Sequence, residues 1–346
     1  MTNNKKLLEI LDRAQGGVSP NKAECKFLLE LDENSLDAYL LRAVANNIIR
    51  RGNDNSAIIL GQIGIDISGC SGNCKFCTFG KEHTELAPHR MGTDELTAKI
   101  KSFCDAGDLY GLYLMTMHDY DLDFLLDAIR LARKTAPKTT QIWVNMGDSD
   151  RDTMTEIKKA GVTGIYHVCR IGEGEDTDLD PKSRIKTMEN ALSAGLELYT
   201  CCEPIGPEHT PEQLIENMFI GIDLGCTQHA AMRRVAVPGS PLAGRGQISE
   251  TRLAQIVAVI ALASFTTETM EYMGVHEPNK LGYTSGANII TAESGANPRD
   301  SKAETSENRG FDMNACRKML YECGFTHLRR GDESKIPLDF EYCNQF

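Results

Sequence analysis

The chain has 346 residues, of which 41% are hydrophobic and 25% charged, and it carries a net charge of −12. That length suits a single α/β barrel, and that hydrophobic share is enough for a buried globular core. The acidic balance argues against a nucleic-acid partner, and the longest apolar run, Ile256 to Phe265, spans about ten residues, too few to cross a bilayer.

The first residues, Met1 to Lys6, hold no apolar signal core, so the expected location is the cytoplasm. Twelve cysteines in such a chain read as reduced thiols, metal ligands or catalytic groups rather than a disulfide framework.

Helices are expected over Lys5 to Arg13, Pro20 to Glu30 and Ser35 to Arg50, with Leu7, Leu8 and Leu11 on one face of the first. After Asn53 the pattern changes to a short strand, Ala57 to Leu60, followed by Ile63 to Ile65. One unit then recurs, a helical stretch closed by Gly and followed by an apolar strand. Gly107 precedes Gly111 to Met115, Gly161 precedes Ile165 to Val168, Gly195 precedes Leu196 to Tyr199, and Gly225 precedes a segment ending at Val237. Each of these glycines fits a helix C-cap, where the left-handed conformation carries no Cβ clash. Thr93 is the expected cap of a helix whose apolar face is Leu96, Ile100 and Phe103.

Strands alternating with helices imply a parallel sheet with right-handed crossovers. Strands near residues 58, 114, 143, 166, 198, 235, 272 and 289 are about eight in number, the count of a TIM-like (β/α)8 barrel. The expected organisation is an N-terminal helical extension (1–55), a barrel (56–300) and a C-terminal tail packing on it (301–346).

The sharpest motif is Cys70-Ser71-Gly72-Asn73-Cys74-Lys75-Phe76-Cys77. Three thiolates in a short Gly- and Asn-containing loop can hold one face of an iron–sulfur cubane, leaving one iron open to a small molecule. The loop follows the first strand, which places it at the C-terminal mouth of the barrel. A zinc site is the alternative, but no second Cys or His pair stands out as its complement.

The CxxxCxxC pattern with an aromatic residue before its last cysteine resembles the signature of the radical S-adenosylmethionine (radical SAM) superfamily. That resemblance implies a [4Fe–4S] cluster on Cys70, Cys74 and Cys77, whose open iron chelates SAM. It implies reductive cleavage of SAM to a 5′-deoxyadenosyl radical, hydrogen abstraction from a small-molecule substrate, and an electron donor such as ferredoxin or flavodoxin. A partner subunit stays open. Arg90 to Thr93, Pro238 to Ala243 and Ser285 to Ile290 are similar to segments of the biotin synthase, HydE maturase and methylornithine synthase group.

By the resemblance, Phe76 lies against adenine, Thr116 and Met117 stand where relatives contact the SAM methionine, and Arg170, Glu173 and Glu203 bind the cofactor. Trp143 and Tyr199 fall where biotin synthase carries ligands of a second, sulfur-donating cluster, and Glu271 falls near that cluster's arginine. These departures favour chemistry without sulfur insertion, and biotin- or lipoyl-type sulfur insertion is the alternative. A non-catalytic metal-binding module is the reading from another class.

Period-two alternation with Trp143 and Tyr199 inward also puts Asn145, Cys201 and Glu203 inside and Cys202 outside. Cys201 then reads equally as a cluster ligand or as core filling. His118 reads equally as functional or structural. One of Arg233 and Arg234 is expected on a substrate carboxylate and the other in solvent. The acidic run Gly172 to Asp180 reads as a solvated loop, and Asn297 to Asp300 as a closing segment or a plain turn.

Overall fold

A computed structural model of the chain describes residues 3–294 and 311–345. Eight parallel strands close on themselves: β1 (Ser56–Gly64), β2 (Gly111–Met115), β3 (Gln141–Asn145), β4 (Gly164–Tyr166), β5 (Glu197–Ile205), β6 (Gln228–Arg233), β7 (Tyr272–His276) and β8 (Ile289–Ser294). Closure is the β8–β1 pairing, with Ile58 opposite Ile289 and Ile63 opposite Ser294, while β1 pairs on its other edge with β2. This is the expected (β/α)8 barrel.

Three helices precede it: α1 (Lys5–Gln15), α2 (Lys22–Leu29) and α3 (Leu36–Gly52). Each starts at a side-chain cap, Asn4, Asn21 or Ser35. The crossover helices are α4 (Thr93–Cys104), α5 (Leu122–Thr135), α6 (Arg151–Ala160), α7 (Pro181–Ser193), α8 (Pro211–Leu224) and α9 (Glu250–Ser264), with the one-turn α10 (Lys280–Tyr283) before β8. Gly107, Gly161, Gly195 and Gly225 all adopt positive φ, as read from their places before strands. The apolar run of α9 is buried on all sides between α3 and the barrel wall, and no helix among the described residues is long and apolar enough to cross a membrane.

Two expectations about local structure need correction. Thr93 is the first helical residue rather than the cap; Gly92 occupies the N-cap, and acidic Asp94 and Glu95 face the open amides. The sixth strand stops at Arg233; the Arg234 N–H still donates to the Ile205 carbonyl at 2.7 Å, and its side chain pairs with Glu208. The segment Asn297 to Asp300 lies outside the described residues.

The barrel wall separates two apolar regions. Between sheet and helices lies the main core, which takes Ile59, Leu112, Leu114, Val144, Leu198 and Cys202. Inside the barrel lies a second cluster that includes Tyr110, Tyr113, Trp143, Tyr199, Cys201 and Tyr272. Cys201 and Cys202 therefore divide as strand alternation demands. Trp143 fits inside because its β4 neighbour is Gly164, where any Cβ would collide with the indole.

Beyond the barrel, α11 (Met313–Glu322) leads to a hairpin, His327–Arg329 with Lys335–Pro337, whose first strand adds to β1 at Ser56 and Ala57. The Gly331 carbonyl at its tip accepts a hydrogen bond from Gln141 at 3.1 Å, so this hairpin covers the N-terminal floor of the barrel.

Candidate functional site

The three cysteines of the motif sit in the loop that joins the two strands of a short antiparallel pair, Asp66–Ile67 with His89–Arg90, just after β1. The loop is fastened along both flanks by backbone groups. Cys70 N–H donates to the Phe79 carbonyl at 2.8 Å, and the Cys70 carbonyl accepts from Lys81 N–H at 3.1 Å. Ser71 N–H donates to the Asp119 carboxylate at 2.9 Å. Asn73 takes the left-handed conformation that Asn tolerates, and its side chain accepts from Glu82 N–H.

The acidic run Gly172 to Asp180 exposes Glu175, Asp178 and Asp180 as expected of a solvated loop, but it buries Glu173 and Thr177 and its backbone is engaged. Lys75 N–H donates to the Asp176 carbonyl and Asp178 N–H to the Gly72 carbonyl, each at 2.9 Å, so this segment forms one wall of the cysteine loop. Leu242 N–H donates to the Lys75 carbonyl at 3.1 Å and its side chain packs on Phe76 and Cys74, adding a second wall.

All twelve cysteines are free thiols. Cys70, Cys74 and Cys77 line one cavity of about 680 Å³. Burial pushes the Cys74 thiol up to about 11 and the Cys77 thiol higher still, so both stay protonated until a cation displaces the proton. The Phe79 N–H points at Cys77 Sγ from 3.4 Å, a contact that favours the thiolate once formed. The donor set and its loop fit an iron–sulfur cluster.

A second cavity of about 880 Å³ enters the barrel. Cys74, Cys77, Met115, Asn145 and Arg170 line both cavities, so the cysteine loop stands at their junction. Arg170, just past β4, lies 5.9 Å from the Phe76 ring centroid, and its Nε is 3.1 Å from Glu203 Oε1. Burial works against its charge, but Glu173 and Glu203 outweigh that, and the guanidinium stays firmly protonated. Glu203 also accepts the Tyr166 hydroxyl at 2.7 Å.

Glu173 faces neither cavity. It accepts the Arg170 N–H at 2.8 Å and the Thr177 hydroxyl at 2.7 Å, and its carboxylate lies 3.7 Å from Arg170 and 3.8 Å from Arg184. It braces Arg170 from behind. The brace continues outward: Arg184 donates to Asp148 at 2.9 Å and His167 to the same oxygen at 3.0 Å. Burial beside two arginines drops the His167 imidazole to about 3, so it is neutral in this chain of charges.

Thr116 and Met117 line the cavity shared with the three cysteines, not the barrel interior, and Met117 packs on Ile67, Phe79 and Leu86. His118 lines the same cavity with its Nδ1 buried and lacking a hydrogen bond, and burial holds it neutral. Phe76 and Glu203 line the barrel cavity.

Both Arg233 and Arg234 reach that cavity, but neither is in solvent. Arg233 pairs with Glu277 at 2.9 Å, and Arg234 makes a two-pronged pair with Glu208 at 2.5 and 2.9 Å. Trp143 and Tyr199 point inward, with the indole donating to Gln141 at 2.8 Å and the Tyr199 hydroxyl meeting His276 Nε2 at 2.9 Å. His276, Asp148 and Arg184 did not emerge from the sequence. His276 ends a barrel strand, which was a usable sign; Arg184 sits in an ordinary helical stretch and gave none.

No family model matches the chain. Biotin synthase of Acetivibrio thermocellus is 22% identical over 244 residues, covering 68% of this chain and 75% of that protein. Biotin synthase of Persephonella marina is 22% identical over 147 residues, 41% of this chain and 43% of that protein. Among solved structures, methylornithine synthase (PylB) superposes with a TM-score of 0.75 at 16% identity, covering 91% of this chain and 96% of that one. The resemblance to the radical SAM superfamily holds. The hydrogenase maturase HydG from Carboxydothermus hydrogenoformans superposes with a TM-score of 0.76 at 15% identity, over 93% of this chain and 79% of that one. The likeness in fold extends over nearly the whole chain, whereas sequence likeness to biotin synthase is confined to the shares given above.

Proposed function

We propose that this chain is a radical SAM enzyme that abstracts hydrogen from a small molecule held in the barrel. The observation that carries the reading is the junction: three free cysteines line one cavity, and two of them, Cys74 and Cys77, with Arg170 also line a second that opens into the barrel. Cys70, Cys74 and Cys77 would hold a [4Fe–4S] cluster, which with SAM supplies a 5′-deoxyadenosyl radical on one-electron reduction.

The chain's own residues do the rest. Phe76 offers a flat apolar face to an adenine, and Arg170, fixed by Glu173 and Glu203, offers a directed guanidinium to a carboxylate. Thr116 and Met117 bound the space beside the cysteines. The aromatic wall of Tyr113, Tyr166 and Tyr199 keeps the deeper cavity dry, as a reactive radical requires.

The same wall speaks against sulfur insertion. Trp143 and Tyr199 are hydrogen-bonded elements of the barrel interior, and Cys201 is packed among them with no second inward thiol on β5. The decisive experiment is anaerobic incubation with SAM and a strong reductant, followed by analysis for methionine and 5′-deoxyadenosine. Absence of both products from protein that carries its iron would overturn the reading.

A further inference from the structure

TIM-barrel interiors are ordinarily filled by branched aliphatic side chains. This one is filled by oxidisable rings: five of the ten tyrosines and the sole tryptophan. They form a connected series. Tyr166 and Tyr199 have centroids 5.0 Å apart, Tyr199 and Tyr113 6.1 Å, and Tyr113 stacks on Trp143 at 5.4 Å. Gln141 then bridges to the floor, accepting the Trp143 N–H and donating to the Tyr110 hydroxyl at 3.3 Å. Tyr110 contacts Tyr272 at 5.2 Å, and the Tyr272 hydroxyl donates to Glu333 at 3.2 Å, on the exposed hairpin.

We propose that this series carries oxidising equivalents from the barrel cavity to the floor, protecting the site when a radical finds no substrate. The two ends have the groups such transport needs. Tyr166 faces the cavity with Glu203 on its hydroxyl, and Tyr272 has the Glu333 carboxylate on its own. The middle rings are buried, and burial alone would forbid losing a phenolic proton there, so protons enter and leave at the ends.

A carbon-centred radical takes the hydrogen atom of the Tyr166 hydroxyl; a C–H bond forms, the weaker O–H bond breaks, and Tyr166 becomes a phenoxyl radical. An electron drawn from Tyr272 through Tyr110, Trp143, Tyr113 and Tyr199, with a proton delivered through Glu203, restores Tyr166. Tyr272 gives its proton to Glu333 as its electron leaves; a soluble thiol at the floor then supplies an electron, Glu333 returns the proton, and the thiol releases its own proton to solvent and becomes a thiyl radical, which balances the proton taken from solvent through Glu203.

The identity of the cavity oxidant rests on the proposed SAM chemistry, but conduction can be tested without it. Because Trp143 is the sole tryptophan, a laser flash at the red edge of indole absorption generates one defined radical inside the full-length protein. Transient absorption should show the indolyl band decaying as a tyrosyl band rises with the same kinetics. In the Tyr110→Phe/Tyr113→Phe double variant, which keeps both rings but not their oxidisable hydroxyls, that conversion should slow by at least an order of magnitude. An indolyl band that decays in the wild type with no tyrosyl band, or conversion undiminished in the double variant, would sink the proposal. Either result leaves the 5′-deoxyadenosine assay unaffected, so failure of the conduction series and failure of the SAM reading are distinguishable.

Discussion

At the scale of single residues, the cysteines of the loop and the guanidinium beside them are expected to fail differently. Cys70→Ala, Cys74→Ala or Cys77→Ala removes one of three anchors, so bound iron, the brown charge-transfer absorbance and SAM cleavage should fall together. Arg170→Ala should leave iron content intact while SAM binding weakens, by about tenfold or more if one charge-assisted pair is lost. Equal SAM affinity in wild type and Arg170→Ala, measured by equilibrium dialysis, would remove Arg170 from the cofactor site. Glu173→Gln tests the brace: binding should weaken less than in Arg170→Ala, because the guanidinium remains but loses its backing. The motif cysteines and Arg170 could be found in the sequence because covalent spacing and a strand-end position survive without coordinates. The role of Glu173 could not, since nothing in a run of acids tells a carboxylate facing a cavity from one turned behind a neighbour.

At the scale of elements, strand alternation on β5 decides between one cluster and two. Its inward set is Tyr199, Cys201 and Glu203, and its outward set includes Cys202, whose thiol is sealed in the outer core. One cubane corresponds to about four irons per chain. Cys201→Ala should leave that count unchanged, and an iron excess that vanishes in this variant would promote the sulfur-insertion alternative. The floor end of the same strand carries a pH signature. Burial, with Glu271 nearby, raises the Glu197 carboxyl from its usual range to about 7. The folded state therefore holds this proton more tightly than the unfolded chain does. The resulting stability is complete below the unfolded value near 4.5 and is lost as pH rises through about 7. Glu197→Gln should flatten the decline in unfolding midpoint between those values, with the wild type losing more at pH 8.

The elements were largely legible because four of the barrel strands, β2, β4, β5 and β6, follow a helix closed by glycine in a left-handed turn. Where expectation and structure part, the reason is local. In the stretch Ala230 to Val237 small apolar residues stand on both sides of the two arginines, so the sequence does not mark the end of the sixth strand at Arg233. The run Gly172 to Asp180 reads as solvated from its charges, yet its backbone amides and carbonyls hold it against the cysteine loop.

At the scale of the whole molecule, the N- and C-terminal segments are tied through a few buried polar side chains. Arg50 of α3 donates to the Asn55 side chain at 2.7 Å and to the Cys323 carbonyl at 2.6 Å, joining the leading helices to α11. Arg317 of α11 reaches Asp108 at 2.6 and 3.1 Å, and both side chains are nearly inaccessible. Arg317→Met strands the Asp108 carboxylate without its guanidinium. Unfolding in denaturant should show a loss of about 3–5 kcal/mol, against well under 1 kcal/mol for a change at the exposed pair Lys186–Glu189.

The fastening of the cysteine loop predicts the order in which this protein matures. Its backbone is tied to Phe79, Lys81, Asp119, Asp176 and Leu242 by hydrogen bonds in which no metal takes part. Small zinc modules fold only around their ion; here the hydrogen bonds predict that folding comes first and that any cluster is loaded second. Newly made chain would then wait in its finished shape, and iron lost to oxygen would be replaced without passage through an unfolded state. Metal-free protein should melt in one cooperative step and take up iron and sulfide while its protease-resistant fragments stay unchanged.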